Sequence, residues 1–133
     1  MTPAEAFALI PLAAVRADHV LNPEEAHLLQ TQLRQRSPYR DMDPAAFGLM
    51  ISNLLLGLRD RQEAMLREAA VLLSPEQQQT AFALAARLVH GDRIVTAEEA
   101  AVLSQLAETL SVAPATLRQI EASFALVSRD CLA

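Results

Sequence analysis

Apolar residues recur along this chain at spacings of three and four, the rhythm of helices, and strand-like alternation is nearly absent. The densest run is Phe47, Met50, Ile51, Leu54, Leu55 and Leu58, with Leu49 and Leu56 lying off that stripe. A helix apolar on nearly all sides is expected to be a buried, central one. Leu117, Ile120, Phe124 and Val127 instead give a one-sided amphipathic face. Helix starts are punctuated by proline in Thr2-Pro3, Asn22-Pro23, Asp43-Pro44, Ser74-Pro75 and Ala113-Pro114. Proline suits the first helical position because its missing N–H would be unpaired there anyway. Ser, Thr, Asn and Asp before it accept from an orphan backbone N–H. Ala113 is the weak cap of the set, with Ser111 as the alternative start. Helices are predicted at 3–16, 23–36, 44–58, 61–73, 75–90, 97–110 and 114–128. Ser37 to Met42 is left as the one loop of any length, and the short connections make sequential helices roughly antiparallel. The expected fold is all-α: one domain over 1–133, a bundle of about seven helices.

Two stretches match each other 74 residues apart, Asp18 to Ala26 and Asp92 to Ala100. Each follows an Ala/Val-rich helix and opens another, so the bundle should contain two related helix–loop–helix hairpins about a pseudo-twofold axis. Asp18 and Asp92 end a helix. Leu21 and Val95 tuck under the turn, and Asn22 and Thr96 cap the next helix. Glu25 and Glu99 stand three residues on, where a carboxylate reaches back to the cap's N–H in a capping box. Ser74 to Gln77 forms another, with Gln in the acidic role.

An acidic residue, a short turn, an aliphatic residue, a cap, and Glu seven after the Asp is similar to the motif of the tellurite-resistance TerB-like family. There it typically reads Ala-Asp-Gly-x-Ile-Ser-x-x-Glu and can occur twice. The chain resembles the short, stand-alone bacterial members over nearly its whole length. The family's Gly is His19 in one copy and Arg93 in the other; Gly91 is the candidate to take the φ > 0 turn instead. The resemblance implies a non-enzymatic interaction or sensing module in tellurite or general stress response. It also implies a protein partner, membrane-associated in some settings, and an association with metal binding.

The acids of the two motifs, Asp18, Glu24, Glu25, Asp92, Glu98 and Glu99, are the candidate ligands for a divalent cation, since carboxylate clusters suit Ca²⁺ or Mg²⁺. The structural alternative is concrete. Glu25 and Glu99 are explained by capping boxes, and Glu24 and Glu98 by the positive end of a helix. Only Asp18 and Asp92 are not asked for by helix physics, because an anion near a helix C-terminus is unfavourable. The loops lack the alternating Asp/Asn ligands of an EF-hand. His19, His27 and His90 show no zinc-ligand spacing and read as surface residues. Asn53 is the polar exception in the third helix, expected to make an interhelical hydrogen bond.

No nucleophile motif and no phosphate loop is present, so no catalytic residue is assigned. The net charge is −5, the 11 basic residues are all Arg, and they form no cluster, which argues against nucleic acid. One cysteine, Cys131, excludes an intrachain disulfide. The start has no basic signal region, and no run is long and apolar enough to span a bilayer, so a cytoplasmic location is expected. The oligomeric state is left open by the sequence.

Overall fold

A computed structural model describes residues 1–17, 23–91 and 95–127. The elements are α1 (Pro3–Val15), α2 (Pro23–Arg34), a short 3-10 turn (Tyr39–Asp41), α3 (Pro44–Leu72), α4 (Pro75–His90), α5 (Ala97–Thr109) and α6 (Pro114–Val127). Among the described residues there is no strand, and the chain is an all-α bundle. Every proline expected at a helix start occupies it. Thr2 with Glu5, Ser74 with Gln77 and Thr96 with Glu99 form complete capping boxes, and the Asp43 carboxylate accepts from the N–H groups of Ala45 and Ala46. Asn22 lies outside the described residues.

The helices expected at 44–58 and 61–73 run on as one element with a kink where the break was expected, which makes six helices among the described residues. α3 bends at Arg61 (φ −142°, ψ 41°), in a stretch, Arg59 to Gln62, with neither Gly nor Pro to end a helix. A second correction concerns the centre of the molecule. α1 is the buried helix, with no solvent exposure at any residue from Ala8 to Val15 except Pro11, which is also buried. Its small side chains let neighbours approach closely, and it touches α2, α3, α4 and α5. α3 lies against α1 on one side only. Leu49 and Leu56 are 63% and 58% exposed, and Asn53 is exposed rather than bonded inside the bundle.

The duplication extends beyond the hairpins to the third helix of each half. α1 packs mainly on α3 and α4, α4 mainly on α1 and α6, while α5 reaches α1 and α2 reaches α4. Exchanging α1–α2–α3 for α4–α5–α6 preserves those pairings, though the α3–α5 and α5–α6 contacts have no counterpart of similar extent. From Pro44 and Pro114 onward the two copies run 70 residues apart, because the link without the 3-10 turn is shorter. Burial follows the match: Phe47 and Leu117 are buried, Met50 and Ile120 half-buried, Leu56 and Leu126 exposed.

Polar joints hold the halves together. Gln78 is 1% exposed, and its amide nitrogen donates to the carbonyls of Ala70 (2.9 Å) and Leu73 (3.1 Å). Its amide oxygen accepts from the N–H (2.8 Å) and hydroxyl (3.1 Å) of Ser111. One side chain thus fastens the end of α3, the start of α4 and the α5–α6 link. The segment read as a loop carries the buried Tyr39, whose hydroxyl donates to the Ala4 carbonyl. Its ring lies 6.4 Å from Phe7 and 6.3 Å from Phe47.

Candidate functional site

The paired acidic motifs lie only in part within the described residues. Asp18 and Asp92 lie outside the described residues. Glu24 and Glu98 are exposed in the first turns of α2 and α5, where the helix dipole favours a carboxylate. Glu99 is 2% exposed and accepts from the Thr96 N–H at 3.0 Å, while Thr96 Oγ1 accepts from the Glu99 N–H at 3.1 Å. Glu25 is half-buried at the matching position of α2. Among the described residues no three His, Cys, Asp or Glu side chains gather where they could share an ion. Gly91 closes α4 in the right-handed region (φ −64°, ψ −30°), so it does not take a φ > 0 turn. His27 is exposed, as expected, but His90 is not. Its side chain is 12% exposed and lies 3.3 Å from a Glu121 oxygen on α6. Cys131 lies outside the described residues.

What the sequence reading missed is a pair of equivalent grooves. Between α2 and α3 runs a groove of about 170 Å³, and between α5 and α6 one of about 320 Å³. Their linings correspond through the duplication. Leu29 matches Leu103, Gln30 matches Ser104, Pro44 matches Pro114, Gly48 matches Arg118 and Ile51 matches Glu121. The positions correspond, but α5 and α6 pack on each other where α2 and α3 hardly touch, and the third helix has diverged in polarity. In the second copy Arg118 and Glu121 line the groove, and His90 closes on Glu121. In the first copy the same positions carry Gly48 and Ile51, and the groove is uncharged and mostly apolar, with Gln30 its one polar lining residue. Apart from its chain neighbours and its own helix backbone, no heavy atom stands within 4 Å of where a Cβ on Gly48 would be. The groove opens onto the exposed face of α3 that carries Leu49 and Leu56. The signal was present in the sequence as the absence of charge from Pro44 to Leu58, which fits a buried helix as well as an exposed binding face.

A third concavity, about 410 Å³, is bordered by Pro3, Phe7, Arg36, Tyr39, Gln77 and Thr80. Its polar groups are engaged within the fold. The Gln77 side chain accepts from the Ser74 N–H, the Thr80 hydroxyl donates to the Glu76 carbonyl, and the Arg36 guanidinium lies 5.8 Å over the Phe7 ring. Burial pushes the Tyr39 hydroxyl from its ordinary 10.0 up to about 12, so it stays protonated as the donor to Ala4. These features make it a structural joint between α1, the 3-10 turn and α4.

No family model, curated protein or solved structure matches the chain. Among the described residues no helix is long and apolar enough to cross a membrane.

Proposed function

We propose that the chain is a non-enzymatic protein-interaction module of the TerB-like type, acting in the cytoplasm in tellurite or general stress response. Its docking surface is the α2–α3 groove with the adjoining face of α3. One observation carries the reading: of two grooves with matching linings, one has charged walls and the other is uncharged and mostly apolar, with exposed Leu49 beside it where the charged copy has Gln119. Exposed apolar strips of this kind mark interaction surfaces. The resemblance of the double acidic motif supports the family assignment, and a membrane-associated partner fits it.

The test is photocrosslinking from two exposed, equivalent positions, Leu49 on α3 and Gln119 on α6. A discrete crosslinked product from position 49 and none from 119 is the expected result. Equal products, or none from 49, would remove the reading. The alternative function, divalent-cation binding by the acidic motifs, is separated by calorimetry with Ca²⁺ and Mg²⁺. Saturable heat lost in an Asp18→Asn, Asp92→Asn double variant would put the alternative first.

A further inference from the structure

We propose that the partner fitted by the α3 face is a second copy of this chain, paired through α3 in an antiparallel, twofold arrangement; this rests on the docking reading above. The exposed strip of α3 comprises Ala45, Leu49, Ser52, Asn53 and Leu56, and ends at Arg59 and Asp60. In an isologous contact each residue must meet a fixed counterpart on the other subunit. Place the twofold axis at the midpoint between Ser52 and Asn53. That point is also the midpoint between Leu49 and Leu56, so each Leu49 meets the partner's Leu56. Ser52 hydroxyl and Asn53 amide then meet each other twice, a polar pair at the centre that fixes register. Ala45 at the periphery and Gly48 beside it let the helices approach closely.

Charge decides both the occupant and the direction. The chain carries 16 acidic and 11 basic residues, so two copies repel over most of their surface. The stretch from Pro44 to Leu58 has no charge and lets them meet without that cost. At its ends stand Asp43 and the exposed Arg59, whose guanidinium lies 3.3 Å from Asp60. A parallel pairing would bring Asp43 to Asp43 and Arg59 to Arg59. The antiparallel one sets Arg59 opposite the partner's Ala46, about one helical turn from its Asp43, and Asp60 opposite Ala45 at the positive start of the partner's α3. A strip of this length, roughly 24 Å by one helix width, buries an area at the low end of specific interfaces, about 1,000 Å² in total. Such a contact should dissociate in the micromolar range, about 1–100 μM.

Sedimentation equilibrium of the full chain, over concentrations spanning that range, tests it. Wild type should pass from monomer to dimer. Leu49→Arg and Leu56→Glu, both at exposed positions, should keep the helical circular dichroism of wild type and each weaken the dimer by at least ~100-fold. An equimolar mixture of the two should recover a heterodimer, because position 49 faces position 56. Wild type monomeric throughout, single variants that still dimerise, or a mixture that stays monomeric would each overturn the proposal. If wild type is monomeric yet position 49 crosslinks a foreign chain, self-pairing falls and the docking reading stands.

Discussion

Gln78 shows how much one buried amide can organise. Both its hydrogens and its oxygen are used, across three separate segments. Replacing it with Ala removes the donor to two buried carbonyls and the acceptor of the Ser111 N–H. Loss of a buried hydrogen-bond partner costs about 1–3 kcal/mol per stranded group, so Gln78→Ala should lower stability by about 3 kcal/mol in urea unfolding. Gln78→Glu is the sharper variant. Its carboxylate would face the Ala70 and Leu73 carbonyls in a dry site, raising its folded-state pKa. That variant should be most stable at acid pH and lose stability as pH rises past the ordinary glutamate range. Tyr39 gives a second titration. Its folded pKa of about 12 exceeds the ordinary 10.0, so wild type should lose stability between those two values. Tyr39→Phe should remove that slope and cost about 1 kcal/mol at neutral pH for the lost bond to Ala4. Neither residue was legible beforehand. Gln78 sits in the run Gln77-Gln78-Gln79, where composition is identical and only packing distinguishes the middle member. Glu99 was legible, because its spacing from Thr96 specifies a geometric partner.

Helix starts were the most readable elements because capping is local chemistry. Thr96→Ala should cost about 1 kcal/mol by removing the acceptor for the Glu99 N–H, measured by urea midpoint. The duplication adds a comparison: Asp43 caps α3, and its counterpart before α6 is Ala113, which has no side-chain oxygen. Ala113→Asp should therefore stabilise by about 0.5–1 kcal/mol. In the first capping box the Thr2 N–H, then its hydroxyl, holds the Glu5 carboxyl below its ordinary pKa. A depressed carboxylate stabilises above its unfolded pKa and loses that contribution as pH falls through the folded one. Glu5→Gln should flatten the acid limb of the stability curve. The exposure of α3 was not readable in this way. A stripe of leucines with two more off it fits either a surrounded helix or a helix with one bare face. The choice fell to α1, whose alanines pack more closely than leucines allow. The kink at Arg61, by contrast, falls at the break expected between Leu58 and Arg61.

At the scale of the whole molecule, the two halves share one core along the α1–α4 contact. Each half contains only one of the two principal partners of its own first helix: α1 has α3 but lacks α4, and α4 has α6 but lacks α1. Fragments 1–73 and 74–133 made separately should each melt without a cooperative transition, and mixing them should restore helical circular dichroism. A half that folds alone would show that the duplication is two domains in contact. The hairpin repeat was visible in the sequence because its loops keep a motif. The third helices had drifted to a different spacing and different polarity, and only the shared pattern of burial joins them. The burial of α1 has a further consequence during synthesis. α1 is translated before any of its neighbours, and α4 is complete only at His90, 75 residues after Val15. At about 5–20 residues per second, the most apolar helix of the chain waits roughly 4–15 s for the second of its two main partners. During that interval it is a ribosome-associated hydrophobic segment, and slowing translation within α3 should increase its capture by nascent-chain chaperones.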